Sequence, residues 1–248
     1  MLSAYVGGKV FGETFGSTTP WLLALHGWRR SHDDFTEMLR GGAGEEALDA
    51  IAIDLPGFGA SPVPAEPWGA PDYAAFLGPV LEEMTDQIVI VGHSFGGRVA
   101  VELAQLAGER TAALILTGVP LVRVRRQARP KMRFRTVRAL AGMGLVGRRH
   151  LERARERYGS RDYREAQGVM RSVLVRVLAE DYRPSLARLS CPVELVWGEK
   201  DTVVPVDVAR AALLAIADGR LAILPGIDHF VPTAAPAALR AAVEAHRP

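Results

Sequence analysis

A serine becomes a useful nucleophile only beside a base, a group that orients the base, and donors for the negative charge that develops on the substrate. One serine in this chain stands out by its surroundings: Ser94, within Gly92-His93-Ser94-Phe95-Gly96. The β-branched run 88–91 stops abruptly at Gly92. Beyond Gly96-Gly97 the apolar residues Val99, Leu103 and Leu106 recur at helical spacing. Strand, sharp turn and helix put Ser94 at the apex of a strained turn. The flanking backbones come close together there, which calls for residues without side chains. The start of a helix also offers free N–H groups and the positive end of its dipole to a developing anion. The plainer reading is a glycine-rich turn into a buried helix with an incidental serine. The strand before and the helix after favour a nucleophile elbow.

Histidine suits proton transfer near neutrality, and a carboxylate fixes its tautomer. Asp201 follows the apolar run 193–197, and His229 follows 221–224. Each has a rival reading. Asp201 could be a turn aspartate bonded to its own backbone before Thr202, and His229 a loop histidine. Asp228 competes only by proximity, since a neighbour of His229 does not reach the far side of its ring. Asp54 reads as structural, ordering the Pro56-Gly57 turn. His26 and His93 read as loop-orienting residues. Trp28, Phe58 and Phe230 either line an acyl pocket or pack in the core. No cluster of Cys, His and carboxylates has metal spacing, and no phosphate-loop or dinucleotide fingerprint occurs. No metal or cofactor is expected.

The elements that must position these residues are legible as apolar runs. Residues 2–16 read as an opening hairpin around Gly7-Gly8. The runs 20–25 and 50–53 read as buried strands, the first with both faces covered, and the runs 88–91, 112–117, 193–197 and 221–224 as further strands. Helical patterns cover 33–39, with Ser31 as its candidate cap, 73–84, the stretch beyond Ser94 that carries Val99, Leu103 and Leu106, 206–217 and 236–245. Alternating strands and helices argue for an α/β architecture, a mostly parallel eight-stranded sheet flanked by helices. In such sheets chemistry gathers at the carboxyl ends of the strands, where His26, Asp54 and Ser94 all fall. Between about 121 and 184 the rhythm breaks into arginine-rich helical stretches, 129–141, 148–158 and 163–179. The expected organisation is a core of 1–119 and 186–248, with an insertion of 120–185 after the sixth strand.

The totals fit one large domain of 248 residues with 48% hydrophobic and 23% charged residues. The single cysteine, Cys191, excludes an intrachain disulfide. The first residues lack a secretory pattern and no apolar run is long enough to span a bilayer, so a cytoplasmic protein is expected. The net charge of +2 hides a strong asymmetry. Residues 120–185 carry seventeen Arg and one Lys against six acidic residues, a net of +12, which leaves −10 on the rest. Such a field would draw an anionic ligand, an acidic partner or an anionic membrane surface; coding bias toward arginine is the plain alternative. Few aromatics interleave the arginines, which argues against nucleic acid.

Five motifs in order carry a resemblance: His26-Gly27-Trp28, Asp54-Leu55-Pro56-Gly57-Phe58-Gly59, Gly92-His93-Ser94-Phe95-Gly96-Gly97, Trp197-Gly198-Glu199-Lys200-Asp201 and Gly226-Ile227-Asp228-His229-Phe230. The chain resembles capped serine hydrolases of the α/β-hydrolase fold nearly end to end. The resemblance implies a triad of Ser94, Asp201 and His229. It implies an oxyanion hole from the backbone N–H groups of Phe95 and Trp28, and a cap formed by the insertion. Serine rather than aspartate at the elbow excludes the alkyl-ester chemistry of relatives that cleave carbon–halogen bonds or epoxides. The expected function is cleavage of a carboxylic ester or thioester. The substrate is a small ester or acyl compound, either anionic or held on an acidic carrier protein, as in the acyl-carrier methyl-ester esterases. The run Ser94-Phe95-Gly96-Gly97-Arg98-Val99-Ala100 also resembles the menaquinone-pathway lyase. A lyase or carbon–carbon hydrolase acting on an anionic substrate is therefore a second reading, and a non-catalytic ligand receptor a third. Candidate substrate-binding residues are Arg98, Arg123, Arg126, Phe58 and Phe230, although for Arg98 pairing with a cap residue is the favoured reading.

Overall fold

Apolar runs with no polar alternation form strands only where both faces of a sheet are covered. In the computed structural model, which describes residues 2–123 and 161–248, eight strands form one sheet in the order β1-β2-β4-β3-β5-β6-β7-β8, its central strands buried along their length and the edge strands β1 and β8 partly exposed. They are β1 (Leu2–Tyr5), β2 (Val10–Phe15), β3 (Leu22–Leu25), β4 (Ala50–Asp54), β5 (Ile88–His93), β6 (Thr111–Thr117), β7 (Val193–Gly198) and β8 (Gly219–Leu224). β2 runs antiparallel to β1 and β4; every other pairing is parallel. The expected hairpin and the mostly parallel sheet of eight strands are both present.

The two-residue period of a strand divides the core in two. Leu23, Leu25, Ile51, Ile53, Ile88, Ile90, Leu114 and Leu116 face one side. Leu22, Ala24, Ala50, Ala52, Val89, Val91, Ala113 and Ile115 face the other. The first side is covered by α2 (Ala70–Leu77), α3 (Phe95–Ala107) and α7 (Val206–Leu213), the second by α1 (Thr36–Arg40) and α9 (Pro236–Glu244). Each large aliphatic side chain so buried contributes roughly 1.5–3 kcal/mol.

The helices depart from expectation where the backbone is interrupted. The helix expected over 73–84 is α2 followed by a 3₁₀ stretch, Gly78–Glu83. Pro79 has no N–H to continue the α ladder. The helix expected over 33–39 is a 3₁₀ turn, His32–Phe35, and then α1. Ser31 precedes it without capping it, since its hydroxyl donates to Asp33 Oδ2 at 2.9 Å. The helix expected over 206–217 stops at Leu213, where the backbone tightens into i→i+3 turns, the Ala215 N–H donating to the Ala212 carbonyl (2.9 Å) and the Ile216 N–H to that of Leu213 (3.2 Å).

Of the arginine-rich stretches, 129–141 and 148–158 lie outside the described residues. The third is not one helix but two, α4 (Arg161–Glu165) and α5 (Gly168–Ala179), broken by extended Gln167 and by Gly168 at φ +51°. A short α6 (Arg183–Ala187) leads to β7, and α8 (Val231–Ala234) precedes α9. The helix α5 is fastened to the core by charged groups at one end. Glu180 accepts the Ala70 N–H at the start of α2 (3.2 Å), and Arg176 pairs with Asp72 (2.8 Å) and donates to the Pro67 carbonyl (2.7 Å). Among the described residues no helix is long and apolar enough to cross a membrane.

Candidate active site

The ends of β3, β5, β6, β7 and β8 meet at one rim. Ser94 sits there in a backbone conformation that side chains avoid, φ +50° and ψ −109°, between β5 and the first residue of α3. Left-handed φ at a non-glycine residue costs of order 1–2 kcal/mol. The surroundings impose it: the Ser94 N–H donates to the Thr117 carbonyl (2.9 Å), and the Gly96 N–H to the His26 carbonyl (3.0 Å). A Cβ on Gly96 would stand 2.3 Å from the Leu25 carbonyl oxygen, and one on Gly92 2.5 Å from Gly97 Cα. Both glycines of the pentapeptide are required by close approach. The Phe95 N–H opens α3 and has no intrahelical partner.

Asp201 and His229 come from the loops after β7 and β8 and meet in a buried pair. His229 Nδ1 donates to Asp201 Oδ2 at 2.8 Å. The other oxygen, Oδ1, accepts the N–H groups of Val203 (2.8 Å) and Val204 (2.7 Å). The two readings of Asp201, turn aspartate and partner of the histidine, therefore both apply, one to each oxygen. With the proton of the neutral ring on Nδ1, the Nε2 lone pair is free to accept. The Asp228 carboxylate accepts its neighbour's Phe230 N–H at 3.0 Å.

The other histidines have other partners. His26 donates from Nδ1 to the Gly27 carbonyl (2.7 Å) and accepts the Leu55 N–H on Nε2 (2.9 Å). Asp54 accepts the His32 and Ala60 N–H groups and the His32 ring, tying the loop after β4 to the one after β3. His93 donates from Nδ1 to the Thr117 carbonyl at 3.0 Å. Burial, with His229 alongside, pushes its pKa from 6.5 down to about 3; burial also lowers that of His26. The native state thus refuses a proton that the unfolded chain takes up near pH 6.5. Stability is expected to fall as pH drops through 6.5 and to stop losing from this source near 3, at up to about 1.4 kcal/mol per pH unit. Urea unfolding at pH 7 and 4.5 measures it: His93→Gln should flatten the slope, and an equal slope in both proteins overturns the assignment.

Trp28, Phe58 and Phe95 form an aromatic group beside Ser94, with centroids 4.9 to 5.7 Å apart. Trp28 also packs against the cluster of Tyr163 on α4, Ala166 in the break after it and Leu174 on α5. Phe58 is buried, whereas Phe230 is 40% exposed with its ring 5.3 Å from that of His229.

The arginines are placed differently from a substrate-binding set. Arg98 is 6% exposed; Nη1 donates to the Val177 carbonyl (2.6 Å) and Nη2 to the Pro120 carbonyl (3.1 Å). Arg123 donates to the carbonyls of Leu178 and Ala179. Together they satisfy the last carbonyls of α5 at the negative end of its dipole. Arg98 and Arg123 are both thus bonded to the insertion, the pairing expected of Arg98 as one of its two readings. Arg126 lies outside the described residues. Two arginines that sequence reasoning passed over do border the rim. Arg30 holds Asp34 through Nε (2.8 Å) and lies over the Phe230 ring, 5.3 Å from its centroid. Arg29, at φ +59°, pairs with Glu165 of α4. The i,i+4 spacing of Arg30 and Asp34 was a readable signal; the Arg29–Glu165 contact, 136 positions apart, was not. Among the described residues no three His, Cys or carboxylate groups are placed to hold a metal ion.

Residues 22–242 match the model of the alpha/beta hydrolase family. The chain is 30% identical over 224 residues to the pimeloyl-[acyl-carrier protein] methyl ester esterase of Methylococcus capsulatus, covering 82% of this chain and 84% of that one. It is 27% identical over 245 residues to the protein of the same name from Chromobacterium violaceum, covering 89% and 91%. Among solved structures, an esterase from Exiguobacterium antarcticum superposes with a TM-score of 0.72 at 22% identity, over 99% of this chain and 98% of that one; at that identity the likeness speaks for the fold.

Proposed function

Since the chain belongs to the alpha/beta hydrolase family, we propose that it is a serine esterase or thioesterase working through an acyl-enzyme on Ser94. The observation that carries this reading is the Asp201–His229 bond of 2.8 Å at the rim where Ser94 is held on its strained turn. His229 Nε2 takes the hydroxyl proton as Ser94 Oγ attacks the carbonyl carbon. The resulting oxyanion is received by the backbone N–H groups of Phe95 and Trp28, each donor of this kind contributing about 10²-fold or more. His229 then protonates the leaving alcohol or thiol, and removes a proton from the water that cleaves the acyl-enzyme. Asp201 keeps the imidazolium in register throughout.

The inserted segment, 120–185, acts as a cap over this rim; the contacts of α4 and α5 with Trp28, Arg29 and α2 support that role. Its net charge suits a substrate presented by an acidic carrier, and the full-length relatives named above are esterases of acyl-carrier esters. The lyase reading needs cap-side arginines aimed at the substrate. Arg98 and Arg123 hold α5 instead, which favours hydrolysis.

A fluorophosphonate probe tests the reading. Ser94 Oγ should displace fluoride from phosphorus, and the adduct mass should map to the peptide containing Ser94. Full ester hydrolysis by a protein that the probe leaves unlabelled sinks the proposal. A companion measurement separates cap fastening from substrate binding. Arg98→Met is expected to lower stability by about 1–3 kcal/mol through the carbonyls it leaves unpaired. It should change kcat on a short p-nitrophenyl ester less than about fivefold, well under the roughly 10²-fold of a lost transition-state donor. A large kcat loss at unchanged stability would return Arg98 to the substrate.

A further inference from the structure

The residue before Ser94 touches the candidate site from several sides. His93 is 1% exposed, and it shares the Thr117 carbonyl with the Ser94 N–H, which ties its ring to the elbow itself. Its ring lies against that of His229, with centroids 4.9 Å apart. Two of its edges meet glycines. A Cβ on Gly27 would stand 2.9 Å from His93 Cδ2, closer than such atoms approach, and 3.4 Å from Nε2. A Cβ on Gly118 would stand 3.2 Å from His93 Cε1 and 2.9 Å from His229 Nδ1. Gly27 precedes Trp28, and Gly118 follows β6. The imidazole fills the space between the loop after β3, the turn after β6 and the ring of His229.

We propose that His93 is a positioning residue, a wedge whose thickness sets the separation between the Gly27-Trp28 loop and His229 so that Ser94 finds both at reacting distance. This rests on the reading of Ser94 as nucleophile and His229 as base. A misplacement of about 1 Å between reacting groups can cost roughly 10²-fold, so a wedge that is thickened or lost is felt in turnover. The wedge also has to be uncharged, because a cation here would oppose the imidazolium that His229 becomes. The charged and titratable groups around the two rings are Asp201, bonded to His229, and Arg30 and His26, which act on His93 through space. None of these carboxylates or cations is bonded to His93, whose one donor is held by the Thr117 carbonyl.

The test compares Gly27→Ala, His93→Ala, the double variant and Ser94→Ala in the full-length protein, by steady-state hydrolysis of a short p-nitrophenyl ester and by thermal melting. Gly27→Ala should lower kcat by about 10²-fold with KM changed less than threefold, because the new methyl pushes the imidazole. His93→Ala should lower kcat by about 10- to 100-fold. The double variant should be no worse than His93→Ala alone, since the methyl then occupies vacated space. Losses that multiply overturn the wedge, as does a Gly27→Ala effect confined to KM. If His93→Ala does not hold its fold, His93→Asn, which retains a donor for the Thr117 carbonyl, replaces it under the same criterion. Wild-type activity in Ser94→Ala would instead bring down the underlying function; an inactive Ser94→Ala beside multiplying single losses brings down the wedge only.

Discussion

Ser94→Ala is expected to lower kcat/KM on a short p-nitrophenyl ester by about 10⁴-fold or more, a loss of about 5.5 kcal/mol of transition-state stabilisation. In the proposed mechanism the whole acylation route runs through one oxygen atom, so its removal leaves only the oxyanion donors and substrate binding. The fold should be indifferent. Alanine has the same Cβ as serine and meets the φ of +50° at the same cost, and the fixed contact at this position is the backbone N–H to the Thr117 carbonyl. An unchanged melting temperature with lost turnover is therefore the result to look for. Retention of more than one-tenth of the activity would show that hydrolysis does not proceed through Ser94.

Asp201→Asn is expected to cost about 10³- to 10⁴-fold in kcat with little change in stability. The reason lies in the two oxygens. Oδ1 accepts two backbone N–H groups, from Val203 and Val204. An asparagine must keep its carbonyl oxygen on those donors, or the part-buried Val203 N–H and the buried Val204 N–H lose their acceptor, the latter at about 1–3 kcal/mol. Its NH₂ then faces His229 Nδ1, which can only accept. The proton of the neutral ring moves to Nε2, and the face that should take the proton of Ser94 carries one instead. Nitrogen-15 NMR of labelled histidine reads the tautomer directly. A ring still protonated on Nδ1 in Asp201→Asn, with activity lost, would remove this explanation.

Most of the frame was legible because the signals are local. A run such as Leu22–Leu25 has no polar residue to face water, so it reads as doubly buried wherever the chain places it. The alternation that divides Ile88 and Ile90 from Val89 and Val91 follows from strand geometry alone. Breaks in helices were less legible. Pro79 could have ended α2 on inspection, but the left-handed Gly168 at the start of α5 reflects how that helix turns away from α4. Gly27 illustrates a further limit. Its neighbour in sequence is the motif His26-Gly27-Trp28, but what forbids a side chain there is His93, 66 positions away.

The arginines mark the boundary most plainly. Their number, and the charge asymmetry they create, are properties of composition and follow from counting. Their destinations are not. An arginine reaches far on flexible bonds and takes whichever carbonyl or carboxylate the packing leaves unpaired. Arg98, one turn beyond Ser94, ends on α5, and Arg29 ends on α4. The chemistry-bearing types and their order, Ser94 then Asp201 then His229, were written into the chain, because only a few residues support acyl transfer and each follows a strand that hydrophobic patterning identifies. That one oxygen of Asp201 meets His229 while the other holds its own loop, and that His93 stands between His229 and the Gly27-Trp28 loop, depended on segments far apart in sequence reaching one rim. Distances of this kind arise only when the sheet closes and its loops are pressed together.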